Sequence, residues 1–281
     1  MAKVSSAIDD GGFWHAVAAA SHLADIAAII SIPLFLVGIF FLPPSIRESF
    51  VFETANPTVQ AAYGSHFVHR QQFHLLGNLS VYLLVVPITY LLCLLGGRRQ
   101  LFWITFTVLL TLFPIVLSVM QLLFPRHRSI LGFSGINAGF FGFLCVAWVL
   151  YAGQRFIGST SIRYAPAIPL LLTGVIALIT LPDRAWRLEI AAASIMLGSL
   201  YVLLWITNTE NLSNNRIRAG LTRFGFAELA GAGFGLLVSY PFVGFRSVVT
   251  ARSGVLDVYI HLLGYSLAFI VVFVYVTVVE Q

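Results

Sequence analysis

The chain has 281 residues, 59% of them apolar and only 10% charged, and its mean hydropathy is +0.92. That much oily surface cannot be hidden in one soluble core, so the chain belongs in a bilayer. The formal net charge of +5 comes almost wholly from arginines spread over short connections. It lacks the clustered cations and aromatics of a nucleic-acid groove, which argues against a nucleic-acid partner.

The first residues, MAKVSSAIDDGGFWH, hold one lysine, two aspartates and no apolar run before a small-residue cleavage site. Residues 1–22 therefore read as a short retained tail rather than a signal peptide. Residues 23–281 read as one membrane domain. Apolar runs long enough to cross roughly 30 Å of hydrocarbon begin with Leu23 to Leu42, which stops at Pro43-Pro44. Phe73 to Leu95 is stopped by GGRR, and Leu101 to Phe124 by PRHR. Leu131 to Ala152, Ala165 to Leu181 and Leu188 to Ile206 follow. The glycine-rich Leu229 to Val249 contains Pro241, and the last run is Val255 to Val279. The predicted fold is an all-α polytopic membrane protein with eight transmembrane helices. Pro87 is expected to kink the second.

Cys93 and Cys145 both fall within spans, too few for a metal site or a disulfide framework, and read as core residues. No cofactor and no metal is expected. Arg98, Arg99, Arg155, Arg163, Arg216, Arg218 and Arg223 share one side with Lys3. Arg47, Arg70, Arg126, Arg128, Arg184, Arg187, Arg246 and Arg252 occupy the other, so the raw count does not set orientation. The dense connection NTENLSNNRIRAGLTRFG favours a cytoplasmic first side, with both termini in the cytoplasm and the plasma membrane as location. Spans two, four and eight then start at the outer face.

Four polar groups stand out in these spans. His74 and Asn78 lie one helical turn apart at the mouth of the second, Ser134 sits in GFSG at the fourth, and His261 in HLLG in the eighth. Intramembrane polar side chains are costly enough that they face a cavity or one another. A serine hydroxyl becomes nucleophilic when a neighbouring base takes its proton, and an imidazole titrates near neutrality. Ser134 and His261 can form that pair. The backbone N–H of Ser134 and the side chain of Asn78 suit a developing oxyanion. Gly135, Ala138, Gly139 and Gly142 on the fourth span, with Gly264 and Ala268 on the eighth, would let the two backbones approach closely. His66, His69, Arg70, Gln71 and Gln72 could line an entrance for water. Each residue also has a plainer reading. Ser134 could bond a carbonyl one turn back, His261 could pack between helices, Asn78 could hydrogen-bond across helices, and His74 could sit idle at the helix mouth. Asp257 reads as a helix-start or interface residue.

Taken in chain order, HFVHRQQFHLLGN, GFSG and HLLGYSLA resemble the signature of the rhomboid family of intramembrane serine proteases. His69, His74 and Asn78 fit that family's His, four residues, His-x-x-x-Asn spacing in the second core helix. Gly132, Phe133, Ser134 and Gly135 fit its Gly-x-Ser-Gly motif, and His261, Gly264 and Ala268 fit its late histidine motif. The resemblance runs from about Leu23 to the C-terminus. It implies a rhomboid-like bundle, a six-helix core plus two, because three helices rather than one separate serine from histidine. It also implies a Ser134–His261 dyad that needs no carboxylate, with His74 as a third oxyanion donor and His69 holding the first external loop. The substrates implied are single-span or other transmembrane proteins, cut near the outer face at a small residue, with membrane lipids as surroundings.

Two family features are absent: residues 44–72 contain no tryptophan, and Ala138 stands where an aromatic often stacks on the imidazole. The competing reading is a catalytically silent scaffold of the same fold that binds transmembrane helices. A transporter is a weaker one, because no matched pair of interrupted helices is evident.

Overall fold

A computed structural model of the chain describes residues 12–123, 129–158, 162–181, 185–208, 214–245 and 255–279. Arg126, Arg128, Arg184, Arg246, Arg252, the end of the seventh predicted span and the Asp257 side chain lie outside the described residues and side chains. Long helices are α1 (Leu23–Phe40), α4 (Gln72–Leu95), α7 (Ser134–Ala152), α8 (Ala167–Thr180), α9 (Ala185–Asn208), α11 (Phe226–Gly244) and α12 (Val255–Val279). Between them lie α2 (Pro44–Ser49), α3 (Val59–Gly64), α5 (Arg99–Thr111), α6 (Phe113–Leu122) and α10 (Asn214–Thr222).

Among the described residues, seven helical segments are long and apolar enough to cross a membrane. The pair α5 and α6, bent by 45° at Leu112, makes an eighth if taken as one span. The protein is therefore a polytopic helical membrane protein. The third predicted span is thus a broken one, with Pro114 at the start of its second half. A proline there lacks the N–H that would bond back into the preceding turn, so the break falls at its N-terminal side.

The serine-bearing α7 is the central column. In its span, Ser134–Ile157, 89% of the most apolar window is buried, against 11% for the α9 span, which is peripheral. α12 packs along α7 more extensively than any other helix pair, and α8 packs on α9 almost as closely. In the second pair the glycines of each helix admit the other: Gly174 faces Ile195 and the Ala191 carbonyl, and Gly198 faces Leu171. α11 closes on α4 and α7 through Gly233, where a Cβ would lie 3.0 Å from Trp148 and 3.2 Å from Leu92. Trp148 Nε1 donates to the Ala230 carbonyl at 2.8 Å and Tyr151 to the Phe226 carbonyl at 3.0 Å, so the polar tips of both aromatics are satisfied across that interface. Cys93 and Cys145 are buried core residues.

Two features go beyond the sequence reading. The tail is helical over residues 12–20, and Phe13 sets its ring edge-on against Phe226 at 5.2 Å. In the first turn of α1, Asp25 is 2% exposed. Its carboxylate accepts from Tyr90 at 2.6 Å and Arg99 Nε at 2.7 Å, and Arg99 Nη2 pairs with its second oxygen. A buried carboxylate survives only with such partners, and this one binds α1 to α4 and α5.

Candidate active site

Local geometry sets the serine at a helix start. Two short strands, β1 (Phe52–Glu53) and β2 (Ser129–Ile130), pair antiparallel with Phe52 opposite Ile130. After β2 the chain turns at Gly132, whose φ of +110° belongs to the region glycine adopts without strain. Its N–H donates to the Ser65 carbonyl at 2.9 Å. Phe133, fully buried against Phe67 and Tyr82, caps the helix, and Ser134 is its first residue. The first N–H groups of a helix have no intrahelical acceptor and carry the positive end of its dipole. Ser134 therefore sits beside donors suited to a negative oxygen.

A cavity of about 300 Å³ opens at this point, and Ser134, His261, His74 and Asn78 all line it. Phe73, Phe141 and Val243 supply apolar wall. Four residues from three distant helices thus share one cavity. The α7–α12 seam brings the histidine helix in. A Cβ built at Gly142 would overlap the Tyr265 carbonyl and lie 2.9 Å from the Phe269 amide, and one at Gly264 would overlap the Gly135 carbonyl and lie 3.2 Å from Ala138. Gly135 itself faces Ile260. Gly139, expected in this seam, instead faces Leu109 of α5 and Phe113 of α6.

His261 is half-buried. Phe245, just past α11, meets its ring edge-on at 5.8 Å, and its backbone carbonyl accepts from Tyr240 at 3.1 Å. The imidazole, with Ala138 on α7, thus takes its aromatic neighbour from the residue that follows α11. Tyr240 and Phe245 escaped the sequence reading, since neither belongs to a motif and only the approach of α11 to α12 gives them a role.

Asn78 is buried and clamped. Its NH₂ donates to His69 Nε2 at 3.0 Å and to the His74 carbonyl at 3.1 Å, and its carbonyl groups, main chain and side chain, accept from Asn137 Nδ2 at 3.0 and 3.2 Å. Both amide hydrogens are engaged there rather than aimed at the serine. Asn137, 3% exposed and also lining the cavity, is a third residue that the sequence reading passed over. As a lone amide inside a span, it carried the signal of an intramembrane polar group.

The histidines expected at an entrance are structural. His66 is 1% exposed and bonds Ser118 Oγ at 3.0 Å. Ser118 spends its hydrogen on the Ala62 carbonyl, so the imidazole is the donor. His69 is equally buried, and its carbonyl accepts from Arg47 at 2.7 Å. Burial pulls both imidazoles down to about 4, with the nearby His74 adding to the effect at His69. Arg70 faces outward in a two-pronged pair with Glu48, at 2.8 and 2.6 Å. Gln71 and Gln72 are exposed.

Among the described residues, no group of three or more His, Cys, Asp or Glu is arranged to hold a metal ion. Comparison with family profiles, with curated proteins and with solved structures gave no match.

Proposed function

We propose that the protein is a rhomboid-type intramembrane serine endopeptidase that cuts transmembrane substrates near the outer face. The observation that carries this reading is the single cavity lined together by Ser134, His261, His74 and Asn78. In the proposed reaction His261 takes the Ser134 proton as the hydroxyl attacks the scissile carbonyl. The resulting oxyanion lies at the start of α7, where the backbone N–H of Ser134 is a donor. His74 lines the same cavity and would be a second donor. Protonated His261 then returns its proton to the leaving amine, and water resolves the acyl-enzyme. Asn78 joins as a donor when its NH₂ turns from His69 or from the His74 carbonyl toward the serine. The α8–α9 pair, the latter mostly exposed at the bundle edge, supports a reading as the two helices added to a six-helix core. The plasma membrane and cytoplasmic termini belong to the same proposal.

The clamped Asn78 amide favours a second reading, a silent scaffold that binds transmembrane helices in the same cavity. One experiment separates them. The full chain, reconstituted in lipid, is incubated with a fluorophosphonate probe and a membrane-embedded helical substrate, beside Ser134→Ala. Labelling and cleavage that vanish in the variant support the protease, whereas equal labelling of both proteins sinks it.

A further inference from the structure

The face opposite Ser134 holds a second cavity of about 310 Å³, lined by Gln154, Arg155, Gly158, Gly220, Arg223 and Phe226 among others. Residues 134–157 form one continuous span, so at roughly 1.5 Å per residue Arg155 lies about 30 Å along the axis from Ser134. That is the thickness of a hydrocarbon core. The cavity therefore sits at the other membrane boundary.

The local structure there is specific. After Ala152 the helix widens into a π-helical turn, Gly153–Ile157, and stops at Gly158 with φ +77°. α10 lies against this turn: a Cβ at Gly220 would come 2.5 Å from the Phe156 ring and 3.2 Å from the Arg155 carbonyl, so a side chain there would push the two apart. The Arg155 guanidinium is oriented from two sides, donating to the Leu95 carbonyl at 3.0 Å and lying 4.7 Å above the Phe226 ring. Arg223 arrives from the turn between α10 and α11.

Two cations thus line one cavity with no carboxylate in its wall. Glu228, in the adjoining turn of α11, accepts from the Gly225 amide at 2.7 Å. Like charges brought to one cavity favour an anion between them, and planar guanidinium forks match phosphate oxygens. The flanking residues point to where that phosphate comes from. Leu221 and Phe224, on either side of Arg223, are 60% and 78% exposed at the membrane border, apolar surface suited to acyl chains.

We propose that this cavity binds the phosphate of an anionic lipid headgroup, which ties α10 to the end of the serine helix. The proposal does not depend on protease activity.

The test is native mass spectrometry and thermal unfolding of the full chain in detergent, with phosphatidylglycerol, phosphatidylcholine or inorganic phosphate added. Phosphatidylglycerol should stay bound and raise the Tm, while phosphatidylcholine should do neither. Arg155→Gln and Arg223→Gln should each weaken retention roughly tenfold, as expected for loss of a charged hydrogen bond. Arg163→Gln, a charge removed from the same face outside the cavity, should leave retention unchanged. Equal loss in all three variants, or equal retention of the zwitterionic lipid, would overturn the site. If inorganic phosphate stabilised the protein as well as the lipid did, the phosphate site would stand and the lipid source would fall. Arg223 is exposed, so its variant is readable even if Arg155→Gln fails to fold.

Discussion

The His74 imidazole lies over the α-carbon of Gly132: a Cβ built at that glycine would sit 2.6 Å from Cε1 and 2.9 Å from Nε2 of the ring. The first glycine of the GFSG motif is thus required twice, by its φ of +110° and by the ring beside it. A histidine at the mouth of α4 and the turn that launches the serine helix are thereby in van der Waals contact.

Gly132→Ala should therefore cost about 1–3 kcal/mol from backbone strain alone and displace His74 as well. The expected outcome is a lower Tm with serine labelling reduced by more than about tenfold, a factor worth roughly 1.4 kcal/mol in the barrier. Thermal unfolding and probe kinetics on the same preparation check it. Wild-type values for both would mean that the turn relaxes freely.

Ser134→Ala and His261→Ala should each abolish turnover, and the double variant should be no worse than either single one, because residues acting as one nucleophilic unit are strongly non-additive. Substrate cleavage in reconstituted vesicles measures this. A His261→Ala protein at the wild-type rate would require another base.

Asn78→Ala tests a residue with two jobs. Loss of an oxyanion donor should lower turnover on the order of 10²- to 10³-fold. Loss of the acceptor for Asn137 Nδ2 should also destabilise the protein by about 1–3 kcal/mol. A lower Tm with unchanged turnover would leave Asn78 as a strut between His69 and Asn137 and remove it from the reaction.

Gly142→Ala places a methyl against the Tyr265 carbonyl, a backbone atom that cannot rotate away. Overpacking of this kind costs roughly 1–3 kcal/mol, and here it would shift the helix that carries His261. Turnover should fall more than the Tm predicts, read by kinetics at a temperature where the variant is fully folded. Gly231→Ala, at a position with open space around it, is the control and should change neither.

His66 and His69 make the fold acid-sensitive. Both are held neutral in the folded protein with pKa values lowered from 6.5 to about 4. The unfolded chain therefore takes up protons first as the pH falls. Their contribution is complete above about pH 6.5 and is lost between 6.5 and 4, each shift corresponding to roughly 3 kcal/mol. The Tm of wild type should drop across that window, and His66→Gln, which keeps a donor for Ser118, should flatten the drop. An identical slope in the variant would remove His66 from the titration.

Hydropathy made the membrane class and the approximate spans legible, because apolar length is a local property of the chain. The bend at Leu112 was hidden because α5 and α6 together read as one apolar run, and the helix over residues 12–20 because its partner, Phe226, lies far along the sequence. The four candidate polar residues were visible as costly groups in apolar surroundings. How Asn78 is held was not, since its orientation is set by His69 and Asn137, whose contact with it depends on tertiary packing. Likewise Gly139 looked equivalent to Gly142 in a small-residue stripe. Only the positions of α5 and α6 reveal that it packs against them and not against α12.

The packing of α12 along α7 has a consequence for biosynthesis. Ser134 is made with α7 and His261 only with α12, so a ribosome-bound chain already displays the nucleophile before its base exists. On the proposed mechanism, a half-made chain among newly inserted membrane proteins is chemically inert. Activity would begin only when α12 is inserted and sets its glycine, Gly264, against the Gly135 carbonyl.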